Sequence, residues 1–262
     1  MAKPLILVCN DDGITSHGIR ALIEVMSELG EVVIVAPDSP QSGMGHAITI
    51  GNTLRLDETD IHKGYKAFEC SGTPADCVKL AKHYVLKDRV PDLVVSGINH
   101  GSNSSISVLY SGTMSAAIEA AIEGLPAIGF SLCDYSPNAR LDHCKPYVKM
   151  IAEQVLKSGL PKGVALNVNF PAYSEKGLNG IKICRQARAK WQENFEERLD
   201  PNNRRYFWMS GSFVNHDKGD DTDEWALENN YVSVVPCMFD LTAHHAIAQL
   251  YADWEITVNR GQ

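Results

Sequence analysis

Residues 5–36 constrain the topology more than any other stretch of the chain. Leu5-Ile6-Leu7-Val8-Cys9 is a short apolar run. Ile19, Leu22, Ile23, Met26 and Leu29 then recur at helical spacing from Gly18 onward, with Gly30 where a helix C-cap belongs. Residues 32–36 form a second continuous run rich in β-branched side chains, closed by Pro37-Asp38. Runs that are apolar at every position, rather than at alternate ones, belong to strands covered on both faces. Strand, helix, strand in this compass is a βαβ unit, whose crossover is right-handed.

The same alternation returns downstream. Thr73-Pro74-Ala75-Asp76 predicts a helix start with Thr73 as cap, Pro74 at the first helical position and Asp76 reaching back; Cys77, Leu80, Ala81 and Tyr84 give it an apolar face. Residues 91–95 predict a strand ending in Ser96-Gly97-Ile98-Asn99. Met114, Ala117, Ile118, Ala121 and Ile122 predict a helix closed by Gly124, and residues 127–131 another buried strand. A helix over 145–157 and a strand over 164–170 continue the series. The fold class that follows is α/β, a Rossmann-like, doubly wound, mostly parallel sheet.

Beyond Pro171 the texture changes. Residues 185–200 mix charges of both signs with Trp191 and Phe195, Tyr206-Phe207-Trp208-Met209 reads as a strand, and residues 217–224 are acidic and turn-rich. Residues 231–235 are strand-like, and a last helix is expected from Thr242 to about Trp254, with His244-His245 at its start. These aromatic segments either pack back on the core or form hairpin arms buried against another subunit. The expected organisation is one α/β domain over 1–262, with a catalytic core at 1–170 and a C-terminal β-hairpin and helix extension for oligomerisation at 171–262.

Composition bounds the function. With 262 residues, 44% of them hydrophobic, the chain can bury a full core. A net charge of -8 argues against a nucleic-acid polymer or an anionic membrane as partner, since both attract basic surfaces. Seven cysteines without C-x-x-C spacing read as reduced thiols, not a disulfide framework or zinc site, and point to a cytoplasmic setting. The apolar run at the N-terminus is too short for a signal peptide.

If the sheet is parallel, the loops after its strands meet along one edge. Asp11-Asp12 would then share space with residues 39–46, 96–103 and 111–113. Adjacent carboxylates repel unless a positive charge sits between them, so the pair makes sense as half of a divalent-cation site, although Asx residues after a strand also serve as turn formers and caps. Asp11, Asp12, Ser42 and Asn99 together form an all-oxygen set suited to Mg²⁺ or Mn²⁺. Ser42-Gly43-Met44-Gly45 is small enough for backbone N–H groups to approach an anion. Ser111-Gly112-Thr113 precedes a helix, where a phosphate could sit on unpaired N–H groups; plain capping would explain one hydroxyl and leave the other, and the glycine, without a role. Asn103 could touch the phosphate or simply form a turn. His46 could be an acid or a phosphate contact, but a single histidine beside apolar residues is more often structural. Asp38 is read as a turn cap.

Taken together, the motifs resemble the SurE family of stationary-phase survival proteins: Asn10-Asp11-Asp12-Gly13 with Gly18-Ile19, Ala36-Pro37-Asp38 with Ser42-Gly43, Gly72-Thr73-Pro74-Ala75-Asp76-Cys77-Val78, Ser96-Gly97-Ile98-Asn99 with Gly101 and Asn103, Tyr110-Ser111-Gly112-Thr113, and late Thr222-Asp223, Tyr231-Val232-Ser233, Pro236 and Asp240-Leu241-Thr242. The resemblance implies a metal-dependent 5′-nucleotidase acting on nucleoside monophosphates. It implies one divalent cation, Mg²⁺ or Mn²⁺, on Asp11, Asp12, Ser42 and Asn99, with Gly43, Asn103, Ser111, Gly112 and Thr113 lining the phosphate pocket and Asp11 or Asp12 as the base. It also implies 3′-nucleotidase and, in some members, polyphosphatase activity, and a homodimer or homotetramer joined through C-terminal arms. One departure stands out: after Asn103 the family usually has a glycine and an acid or similar polar residue, whereas this chain has Ser104-Ser105-Ile106-Ser107. Two alternatives compete, a receiver-like signalling domain and a non-catalytic nucleotide-binding module. The first would need an acceptor aspartate and a later lysine where Asn99 and Ser131-Leu132-Cys133 stand.

Overall fold

The computed structural model describes residues 3–136 and 138–254. A nine-stranded sheet organises the chain. Its core is six parallel strands, ordered β4 (Lys66–Cys70), β2 (Glu31–Pro37), β1 (Leu5–Cys9), β5 (Leu93–His100), β6 (Ala127–Leu132) and β7 (Val164–Phe170). β3 (Leu56–Thr59) pairs antiparallel with β4 at one edge. At the other, β11 (Val232–Met238) runs antiparallel to β7 and carries β8 (Ile181–Ile183) beside it.

Both faces are covered, as the uninterrupted apolar runs require. Ile6 and Val8 of β1 join the cluster built on α1 (His17–Leu29) and α4 (Lys145–Ser158). Leu7 and Cys9 point to the opposite cluster, beneath α2 (Pro74–Leu80) and α3 (Gly112–Ile122). All five β1 residues are therefore buried. Sequence order turns outward in two directions from β1, to β2 on one side and β5 on the other, so the switch point lies between β1 and β5.

The helix starts follow their capping chemistry. Thr73 and Asp76 form a complete capping box at α2, and Ser16 and Ser111 cap α1 and α3. Gly30 is the α1 C-cap, its N–H closing on Met26 O. Asp38 accepts from the Ser39 hydroxyl at 2.7 Å.

Several boundaries differ from the sequence expectation for definable reasons. The third central strand begins at Leu93 rather than 91, because Pro91 has no N–H to pair and Asp92 is engaged with Leu5 through both backbone and carboxylate. It runs on through an irregular register to His100, so Asn99 is a strand residue. The last helix, α6, spans His244–Asp253 and not from Thr242, whose N–H is held by the Asp240 carboxylate. β9 (Ala189–Leu199) and β10 (Arg205–Asn215) form a separate antiparallel hairpin outside the main sheet. α5 (Asp223–Glu228) occupies the end of the acidic stretch. Among the described residues no helix is long and apolar enough to cross a membrane.

Candidate active site

Strand β1 delivers Asp11 and Asp12 to the carboxyl edge of the sheet at the switch point, beside the end of β5. Asp11 is almost fully buried, at 3% exposure. Its Oδ1 accepts from the Thr113 hydroxyl at 2.5 Å, and the Thr113 backbone N–H is also turned toward it. Gly112 explains itself here: a Cβ on it would lie 2.6 Å from Asp11 Cβ and 2.8 Å from Oδ2. The carboxylate thus rests directly on the N-terminus of α3, whose unpaired N–H groups and positive pole favour an anion. Burial nevertheless raises the Asp11 pKa to about 6, with the neighbouring Asp12 charge adding to the rise and the Thr113 hydroxyl opposing it.

Ser111 and Thr113 are therefore both committed. The Ser111 hydroxyl caps Met114 N at 3.0 Å, while Thr113 holds Asp11. The second hydroxyl and the glycine, which capping alone leaves idle, serve to seat the buried carboxylate.

Asp12 is more accessible. Its Oδ2 lies 3.3 Å from His100 Nδ1 and 3.4 Å from the His100 backbone N–H. Next to it, Asn99 donates its side-chain amide to the carbonyls of His100 (3.0 Å) and Gly101 (2.9 Å). Both bonds use Nδ2, which fixes the amide orientation and turns Oδ1 the other way as an acceptor. Ser42 and Gly43 stand on an exposed loop whose first residue, Gln41, donates its N–H to Asp11 O at 2.7 Å. Among the described residues nothing bonds the Ser42 hydroxyl. Gly43 has φ +76° with open space where a Cβ would stand, so backbone conformation, not crowding, calls for glycine there.

Asn103 is placed differently from the other predicted phosphate contacts. It is buried in an amide network: its N–H donates to Asn169 Oδ1, its Nδ2 to Ser131 Oγ, Asn167 Nδ2 donates to its carbonyl, and Asn169 Nδ2 donates to Asn167 Oδ1, all at 2.8 Å. Asn167, Asn169 and Ser131 were not among the residues expected at the site. The signal was present, because Val-Ala-Leu-Asn-Val-Asn-Phe puts two amides two residues apart in an otherwise apolar strand. A second unanticipated support is Asp223, which accepts from Ser105 N–H (2.8 Å) and Ala187 N–H (2.9 Å). Ser105 itself has φ +52°, and its hydroxyl lies 2.9 Å from Ala187 O and 3.0 Å from Ala189 O, at the root of β9.

Among the described residues no group of three or more His, Cys, Asp or Glu side chains is arranged to hold a metal. The donor set on offer is mixed: two carboxylates, one oriented amide oxygen and one unengaged hydroxyl. Such a set fits a hard cation, and a positive charge at Asp11 and Asp12 would offset both the burial and the mutual repulsion that hold the Asp11 pKa up.

Known proteins give an independent view. The family model described as Survival protein SurE matches residues 6–193. A protein of Cytophaga hutchinsonii named 5′-nucleotidase SurE is 74% identical over 255 residues, covering 97% of this chain and 98% of that protein. A protein of Flavobacterium psychrophilum with the same name is 62% identical, covering 98% and 99% respectively. The crystal structure of the SurE protein from Aquifex aeolicus superposes with a TM-score of 0.83 at 37% identity, over 96% of this chain and all of that one.

Proposed function

The chain belongs to the SurE family, and from that premise we propose that it is a 5′-nucleotidase whose reaction centre is the Asp11, Asp12, Asn99 and α3 N-terminus cluster. The observation that carries the assignment is Asp11. A carboxylate buried on a helix N-terminus, with a second carboxylate beside it and an amide oxygen oriented by two backbone bonds, is costly to build for stability alone.

Asp11, Asp12, Ser42 and Asn99 would hold one divalent cation, Mg²⁺ or Mn²⁺, which when bound supplies charge neutralisation at the phosphoryl group and acidifies a water. The residues of the chain do the rest. Asp11 or Asp12 accepts the proton of the attacking water, a role worth about 10²–10⁴-fold in rate. Gly43, Ser111, Gly112 and Thr113 line the pocket, where the small loop and the positive end of α3 stabilise the phosphoryl oxygens. Asn103 shapes that pocket from behind through its amide network. The substrate is a nucleoside monophosphate, and we extend the proposal to 3′-nucleotides and short polyphosphate, whose terminal phosphoryl group presents the same oxygens.

The exposed apolar side chains of the arms support assembly as a homodimer or homotetramer through residues 171–262. Seven free thiols support a cytoplasmic setting. The test is phosphate release from AMP and GMP by chelator-treated protein before and after addition of Mg²⁺ or Mn²⁺. Release is expected only with the metal. Release that survives exhaustive chelation overturns the metal assignment, and nucleotide binding without release identifies the non-catalytic module instead.

A further inference from the structure

Glu119 lies in the C-terminal half of α3 and is buried to 3% exposure. Its two oxygens are taken by different elements. Oε2 is 2.9 Å from His46 Nε2, on the loop that carries Ser42 and Gly43; Oε1 is 2.5 Å from Lys79 Nζ, on α2. Burial works to raise its pKa, but the His46 and Lys79 bonds outweigh burial and hold it below the usual carboxylate range. An ionised carboxylate only accepts, so His46 Nε2 carries the proton in this contact.

The same helix therefore grips two parts of the reaction centre. At its first turn Thr113 holds Asp11, and two turns later Glu119 holds the loop through His46. Other bonds fasten the loop's two flanks: before it Gln41 N–H donates to Asp11 O at 2.7 Å, and after it Gly45 N–H donates to Tyr110 O at 3.2 Å, the Thr73 hydroxyl to Ala47 O at 2.7 Å, and Thr49 N–H and hydroxyl to Asp76 at 3.1 and 2.7 Å. Between these anchors Ser42 and Gly43 are exposed and make no side-chain hydrogen bond among the described residues, so their position is set by what holds the flanks.

We propose that the buried Glu119–His46 contact is the positioning device that fixes the Ser42-Gly43 loop against Asp11, making Glu119 and His46 positioning residues for cation and phosphate binding. The inference rests on the nucleotidase assignment. Residues that orient ligands from behind change metal affinity or activity by about 10–100-fold when lost.

The test is the dissociation constant for Mn²⁺, read by electron paramagnetic resonance on protein without nucleotide, with KM and kcat for AMP measured alongside. His46→Ala and Glu119→Gln are expected to weaken Mn²⁺ by about tenfold or more and to raise KM more than they lower kcat. His46→Gln, which keeps an N–H donor at similar reach, restores most of the affinity. Lys79→Met touches Glu119 but not the loop; it lowers Tm with Mn²⁺ affinity within about twofold of wild type, since its loss removes a bond behind the carboxylate only. Folded His46→Ala and Glu119→Gln proteins that bind Mn²⁺ and AMP like wild type overturn the inference, whatever their Tm. Wild-type protein that binds no Mn²⁺ overturns the assignment beneath it as well.

Discussion

The switch-point edge of the sheet and the C-terminal arms were built to opposite rules. At the edge, Asp11, Asn99, Asn103, Asn169 and Glu119 are all buried, and each has at least one side-chain polar atom tied to a named partner within the chain. In the arms, Phe195, Phe207, Trp208 and Met209 of the hairpin stand exposed, and α6 buries none of its residues although Ile247, Leu250 and Tyr251 lie along it. A lone two-stranded hairpin is marginal in water, and apolar side chains left uncovered mark an association surface. The contrast sets a proposed reaction centre, whose polar groups find partners within one chain, against arms whose apolar side chains find little cover among the described residues.

The sharpest way to break that contrast is at Asp12. Asp12→Asn keeps the volume, removes one negative charge and the proton-accepting capacity, and is expected to lower kcat for AMP by at least about 100-fold with the far-ultraviolet spectrum and Tm little changed. A variant with wild-type turnover would place the chemistry elsewhere. Asn169→Leu comes next. It leaves the Asn103 N–H and the Asn167 amide oxygen buried without partners, each costing about 1–3 kcal/mol, and it frees the 99–105 loop. Urea denaturation should show a loss of roughly 2–4 kcal/mol, with kcat/KM falling in step. Unchanged stability would mean that the network relaxes at no cost.

How much of this was legible before the structure differs between the same two regions. β1, β2, β5, β6 and β7 could be read directly because burial on both faces imposes continuous apolar runs, and the α2 capping box because its chemistry is local; β4, whose Lys66 and Glu69 interrupt its apolar run, was not anticipated. β3 could not be read either. Leu56-Asp57-Glu58-Thr59 is a partly exposed edge strand with no buried face to impose alternation. β9 is similarly opaque, since its two aromatics, Trp191 and Phe195, stand among charged and amide residues and are exposed. At the reaction centre, residue types suggested a cation and an anion cradle. Which groups face each other was another matter: Asp11 meets Thr113, and Glu119 meets His46, only because the sheet brings β1, α3 and the loop after β2 together. His46 looked like an isolated structural histidine for want of the acid that lies 73 positions away.

Charge substitution in the arms tests the other side of the comparison. Phe207→Lys with Trp208→Glu is expected to reduce the assembly size seen by sedimentation while leaving Mn²⁺ affinity within about twofold, because additivity holds between sites that share no partners. Equal loss of both would show that the arms complete the reaction centre, through the Ser105 junction with Ala187 and Ala189.

The smallest expected effect concerns acid. The folded-state pKa of Glu119 is lowered, so its contribution to stability is present above the unfolded carboxylate value of about 4.3 and is lost as pH falls through the folded value. The unfolded chain binds the proton first. Stability of the wild type should therefore decline over that acidic window, and Glu119→Gln, which has no proton to take up, should be less stable at pH 7 but lose less between pH 5 and pH 3. Parallel pH–stability curves for the two proteins would mean that the ion pairs to His46 and Lys79 contribute nothing to folding, leaving Glu119 with its positioning role alone.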